Sequence, residues 1–113
     1  MYTIYHNARC SKSRQGLEIL KNSGVDYNVR EYLKEPLDEG ELSGLINKLK
    51  IAPIELVRKN EKIWKDDYKE KDLSDKELIR VMVNNPKLIE RPIVEADKEA
   101  VIGRPPSQIE KLL

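Results

Sequence analysis

The opening thirty-two residues constrain the fold more than any other stretch of the chain. Tyr2 to His6 is a short run of β-formers, and Ser11 to Ser23 carries Leu17, Ile19 and Leu20 at helical spacing before Gly24 stops it. Val25 to Tyr32 then alternates polar with apolar or aromatic residues, and Glu35-Pro36 closes it. A strand, helix, strand sequence crosses over right-handedly in nearly all proteins, which predicts two parallel neighbouring strands in one sheet. The loop at the carboxyl end of the first strand holds Cys10, the only cysteine.

Beyond Pro36 the period changes. Leu42, Leu45, Ile46 and Leu49 follow the cap candidate Asp38 with helical spacing, and Pro53 to Arg58 reads as a further short helix. Leu73, Leu78, Ile79, Met82 and Val83 form another apolar set, stopped before Asn84-Asn85-Pro86, while the charged stretch Lys59 to Asp72 reads as solvated surface. From Arg91 the pattern is Pro-Ile-Val-Glu, a turn around Asp97 to Glu99, then Ala-Val-Ile-Gly, a hairpin. Pro105-Pro106 opens a terminal helix with Ile109, Leu112 and Leu113 as its apolar face. The order predicts an α/β chain that resembles the thioredoxin-like plan: a mixed four-stranded sheet, βαβ…ββα, with a helical insertion between the halves.

At 113 residues the chain has the size of a single domain, 1–113, with one core. Its 21 basic and 20 acidic residues nearly balance, which argues against a nucleic-acid binder held by a general positive charge. No apolar run approaches the roughly 20 residues that span a bilayer, and no signal segment follows Met1, so a cytoplasmic protein without membrane attachment is expected. One cysteine cannot form an internal disulfide, which leaves a buried filler, an intermolecular bridge or a reactive thiol.

Cys10 lies where a helix begins, with His6, Arg9, Lys12 and Arg14 nearby in sequence. Free N–H groups, the positive end of the helix dipole and cations all favour thiolate over thiol. A fall of the thiol pKa from about 8.5 to about 6.5 raises the thiolate fraction at pH 7 roughly 25-fold. A Brønsted slope of about 0.45 takes back roughly 8-fold as lost nucleophilicity, for a net gain near 3-fold. Most of any rate must therefore come from holding the electrophile and neutralising its charge. His6 is a candidate for tuning the thiol or ordering the loop, with a purely structural hydrogen bond as the alternative.

Three arginines sit at punctuated positions: Arg58 after the Pro53 segment, Arg91 before Pro92, and Arg104 before Pro105-Pro106. Each alone reads first as a solvated surface charge. Together they offer planar forks of donors that match a tetrahedral oxyanion, about three charges against a dianion plus a thiolate. Ser11 and Ser13, on the first turn after the thiol, join them as candidate substrate-binding residues. The Arg91-Pro92 step is also a candidate cis peptide. In thioredoxin-like proteins that proline faces the active-site cysteine, a resemblance that brings Arg91 towards Cys10.

Four segments in order resemble the glutaredoxin-coupled arsenate reductase family: Tyr-His-Asn with Cys10-Ser11-Lys12-Ser13-Arg14, Val-Arg58-Lys-Asn, Arg91-Pro92-Ile-Val, and Gly103-Arg104-Pro105-Pro106. The chain departs from the pattern in having Ala8 where proline is frequent. The resemblance implies that Cys10 is the nucleophile, that Arg58, Arg91 and Arg104 hold the oxyanion, and that His6 modulates the thiol. It further implies arsenate as substrate, glutathione as co-substrate, glutaredoxin as electron donor, and no metal or tightly bound cofactor. Two other readings share the fold. One is a thiol-stress regulator that binds the RNA polymerase α subunit, disfavoured by Ser13 in place of a second cysteine and by Arg104. The other is a glutathione-dependent paralogue without arsenate turnover.

Overall fold

The computed structural model describes residues 1–113. The chain divides into two compact units, Met1–Glu35 with Arg91–Leu113, and Pro36–Glu90. No helix is long and apolar enough to cross a membrane.

The first unit holds one mixed sheet in the order β2-β1-β3-β4. Strand β1 (Tyr2–Tyr5) leads through helix α1 (Ser11–Ser23) to β2 (Tyr27–Arg30), which pairs parallel to β1, Ile4 opposite Val29. Gly24 closes α1 at φ 78, a left-handed backbone that glycine adopts without a Cβ penalty. Strands β3 (Ile93–Glu95) and β4 (Ala100–Ile102) form the expected hairpin, with β3 antiparallel to β1. A 3-10 helix, Pro106–Leu112, ends the chain. Ile4, Leu20, Val94 and Ile109 are fully buried together, so β1, α1, β3 and the terminal helix share one core. This is the thioredoxin-like βαβ…ββα plan that the pattern predicts.

The second unit, Pro36–Glu90, is helical. Helix α2 (Glu39–Leu49) starts at Asp38, whose side chain accepts the Glu41 N–H while the Glu41 carboxylate takes the Asp38 N–H. Ser74 and Glu77 repeat that reciprocal cap at α3 (Asp75–Asn84). Pro53–Leu56 and Pro86–Leu88 are single 3-10 turns, and the segments that follow them bridge antiparallel at Val57 and Ile89.

Several sequence expectations change. The second strand is shorter than 25–32, because the Glu31 carbonyl accepts the N–H groups of Lys34 and Glu35 and turns the chain. Leu73 precedes α3, since Ser74 is the cap and Leu73 takes the position before it. The Lys59 to Asp72 stretch is not merely solvated surface: Trp64–Tyr68 forms a π-helical turn, with Trp64 buried and stacked on Tyr68 at 6.0 Å between ring centroids. Leu113 is 45% exposed, because three residues per 3-10 turn align Ile109 with Leu112 and leave Leu113 off that face. Arg91-Pro92 is cis as expected, and Arg104-Pro105 is cis as well.

Candidate functional site

Cys10 is the N-cap of α1, in extended backbone at φ −95, ψ 123. Its N–H donates to the Asn7 carbonyl and its carbonyl accepts the Arg14 N–H, so the residue is fixed at the join of loop and helix. The Asn7 side chain accepts the Arg9 N–H, and the Arg14 guanidinium donates to the Ala8 carbonyl, which stitches the rest of the loop. The first turn of α1 contains no acidic residue, whereas α2 and α3 carry Glu39 and Glu41, and Asp75 and Glu77, in theirs. A carboxylate there would oppose an anion at the helix start.

The thiol is half-buried. Partial burial is the largest single influence and pushes its pKa up. Against it act the Ser13 N–H, the Arg91 side chain, the Lys12 N–H and the Arg104 side chain, and the net displacement is below the ordinary thiol value. The sulfur makes no conventional capping bond; it is the acceptor towards which these donors are turned. Arg104 Nη1 lies 4.0 Å from Cys10 Sγ, and the same nitrogen donates to the Arg91 carbonyl at 2.9 Å. Two of the three candidate arginines therefore meet the thiol.

Arg58 belongs to the second unit and is considered there alone. Its N–H donates to the Leu88 carbonyl at 2.7 Å, next to the Val57–Ile89 bridge. Its guanidinium stands 3.5 Å from the Glu61 carboxylate and 3.3 Å from that of Glu90. Arg58 is thus a half-buried arginine held by two carboxylates rather than a free surface charge.

His6 follows β1 and is 6% exposed. Its Nδ1 is 2.7 Å from Ser13 Oγ, which also accepts the Asn7 N–H at 3.0 Å. Burial lowers the His6 pKa; Glu31 and hydrogen bonding at Ser13 raise it, and Arg14 lowers it further, with a net fall. His6 is not among the groups acting directly on the Cys10 thiol. It holds Ser13, and Ser13 reaches the thiol through its main chain. The fully buried Ser13 hydroxyl is occupied by His6 and Asn7, so what this residue offers the site is a backbone N–H. Ser11 is exposed as the first residue of α1, where its N–H has no intrahelical partner.

Pro92 is fully buried, and its ring lies against Gly16 of α1 and against Gly103. Gly16 was not singled out by sequence. Its signal is a glycine inside an amphipathic helix, where it costs about 1 kcal/mol relative to alanine and so calls for a packing reason. No group of three or more His, Cys, Asp and Glu side chains is gathered as if for a metal ion.

Residues 5–112 match the profile of the ArsC family. The chain is 40% identical over 115 residues to an arsenate reductase of Neisseria meningitidis, covering 97% of this chain and 96% of that protein. It is 47% identical over 108 residues to the uncharacterized protein YfgD of Escherichia coli K12, covering 94% and 91%. Among solved structures, an arsenate reductase from Vibrio cholerae superposes with a TM-score of 0.94 at 38% identity, over 99% of this chain and 97% of that one.

Proposed function

Because the chain belongs to the ArsC family, we propose that it is an arsenate reductase acting through Cys10, with glutathione as co-substrate and glutaredoxin as electron donor. The observation that carries this reading is the convergence of Arg91 and Arg104 on the Cys10 thiol at a helix start free of carboxylates. Such a site favours both a thiolate nucleophile and a tetrahedral oxyanion. Named relatives and neighbours that reduce arsenate support the choice of oxyanion.

In the proposed reaction the Cys10 thiolate attacks arsenic of bound arsenate, and one arsenate oxygen leaves as water, giving a cysteine-linked arsenate. Glutathione adds at arsenic and a second oxygen leaves as water. A glutaredoxin thiolate then attacks the glutathionyl sulfur, forming a glutaredoxin–glutathione disulfide. The electron pair of the broken sulfur–arsenic bond stays on arsenic, which passes from As(V) to As(III). Hydrolysis releases arsenite and restores the Cys10 thiol. Arg91 and Arg104 hold the oxyanion and offset charge as it builds, and the N–H groups of Ser11 and Ser13 at the helix start assist them. Arg58 is the proposed third ligand on the strength of the family motif, and His6 acts through Ser13. The two units work as one domain, and the protein acts in the cytoplasm.

The test is purified protein with glutathione, glutaredoxin and NADPH-coupled glutathione reductase. Arsenate-dependent NADPH oxidation is expected, and Cys10→Ser abolishes it. Absence of arsenate-dependent oxidation by the intact protein refutes the proposal.

A further inference from the structure

Both arginines that act on the thiol are joined to a residue of one tight contact. Arg91 precedes Pro92, and Arg104 follows Gly103. The Gly103 N–H donates to the Pro92 carbonyl at 2.8 Å. The third wall is Gly16, on the helix whose N-cap is Cys10, six residues or about 9 Å along the axis. A Cβ built on Gly16 would stand 2.9 Å from Pro92 Cγ and 2.8 Å from Ile109 Cδ1; one on Gly103 would stand 2.9 Å from each of the same two atoms. Two separate segments thus close on one proline ring, with the buried Ile109 against both glycines.

We infer that Gly16 and Gly103 are positioning residues: they form the slot for Pro92 that sets Arg91 and Arg104 against the Cys10 thiol. Ile109 Cδ1 is the end of a side chain and has some freedom to turn away. Pro92 Cγ has only the small swing of the ring pucker, because its ring closes onto the backbone. A methyl group at either glycine must therefore move the main chain at 91–92, and the arginines with it, relative to α1. In a close-packed interior such a shift does not fade over one or two residues. The effect on substrate rests on the proposed arsenate reading; the effect on the thiol does not.

The experiment is a titration of Cys10 in the full chain, followed by ultraviolet thiolate absorbance, alongside Tm and arsenate kinetics. Gly16→Ala is expected to move the thiol midpoint up towards the ordinary value and to raise KM for arsenate roughly 10-fold, the effect of weakening one charge-assisted hydrogen bond. Ile46→Val, a core loss on α2 in the Pro36–Glu90 unit, lowers Tm and leaves the thiol midpoint in place. Gly16→Ala/Ile109→Val removes Cδ1 and so relieves one of the two overlaps. It regains Tm while the thiol stays displaced, because the overlap with Pro92 remains. If Gly16→Ala does not fold, the double variant and Gly103→Ala are read in the same way. A thiol midpoint unchanged in the folded variants overturns the inference, whatever happens to Tm. Failure of the intact protein to reduce arsenate refutes the functional proposal alone, since the titration needs no turnover.

Discussion

The Arg104 guanidinium reaches Cys10 Sγ at 4.0 Å across 94 residues of sequence, with the same nitrogen anchored on the Arg91 carbonyl. One side chain therefore ties the second arginine's backbone to the thiol. Arg104→Ala is expected to lower kcat/KM for arsenate by about 10- to 100-fold, the range of a charge-assisted hydrogen bond. Alkylation of Cys10 by iodoacetamide, which needs no oxyanion site, will fall much less at matched pH. Equal losses in the two assays would mean that Arg104 tunes the thiol without holding substrate.

The depressed Cys10 pKa makes stability depend on pH in a defined direction. A group that ionises more readily in the folded state stabilises it fully above its unfolded pKa, about 8.5 for cysteine. That contribution is lost as pH falls through the lower folded value. The Tm of the native chain minus that of Cys10→Ser should therefore increase as pH rises towards about 8.5 and level off above it. Thermal melts across that range measure it, and a flat difference would contradict a lowered thiol pKa.

His6 titrates the same stability from the acid side. Its folded pKa lies below the ordinary value, so the unfolded chain binds the proton more tightly. Stability drops as pH falls below about 6.5, the unfolded value, and the loss stops growing below the folded pKa. In His6→Gln that segment of the pH profile flattens. Urea midpoints on either side of pH 6.5 check this directly.

Ser13→Ala separates the two parts of its residue. It removes the hydroxyl that serves His6 and Asn7 and keeps the N–H that acts on Cys10. We expect a loss of about 1–3 kcal/mol in urea unfolding, from leaving buried polar groups unpaired. The thiol titration should move little by comparison. A large thiol shift with small destabilisation would place the hydroxyl, not the main chain, at the sulfur.

Ser74→Ala removes one arm of the reciprocal cap at α3. A loss of about 1 kcal/mol is expected by urea unfolding, with the alkylation rate of Cys10 unchanged.

The βαβ opening, the Asp38 cap, the hairpin after Pro92 and the place of Cys10 at a helix start were all legible in the sequence, because each depends on residues a few positions apart. Periodicity, capping and turn chemistry act over one or two turns, and the handedness of a crossover adds the pairing of β1 with β2. Arg91 and Arg104 stood out by lying before prolines and Arg58 by following the Pro53 segment, and the first of these also marked the Arg91-Pro92 step. What the tertiary structure alone decided lies in contacts between distant segments. It brought Arg91 and Arg104 to the thiol, set Arg58 between Glu61 and Glu90, and buried Trp64 within a charged stretch. It also turned the Ser13 hydroxyl away to His6 and made Gly16 and Gly103 walls for Pro92. A missing Cβ has no period, and a donor's direction is set by the packing of the element that carries it. Such facts exist only once segments distant in sequence have closed on the core of their own unit.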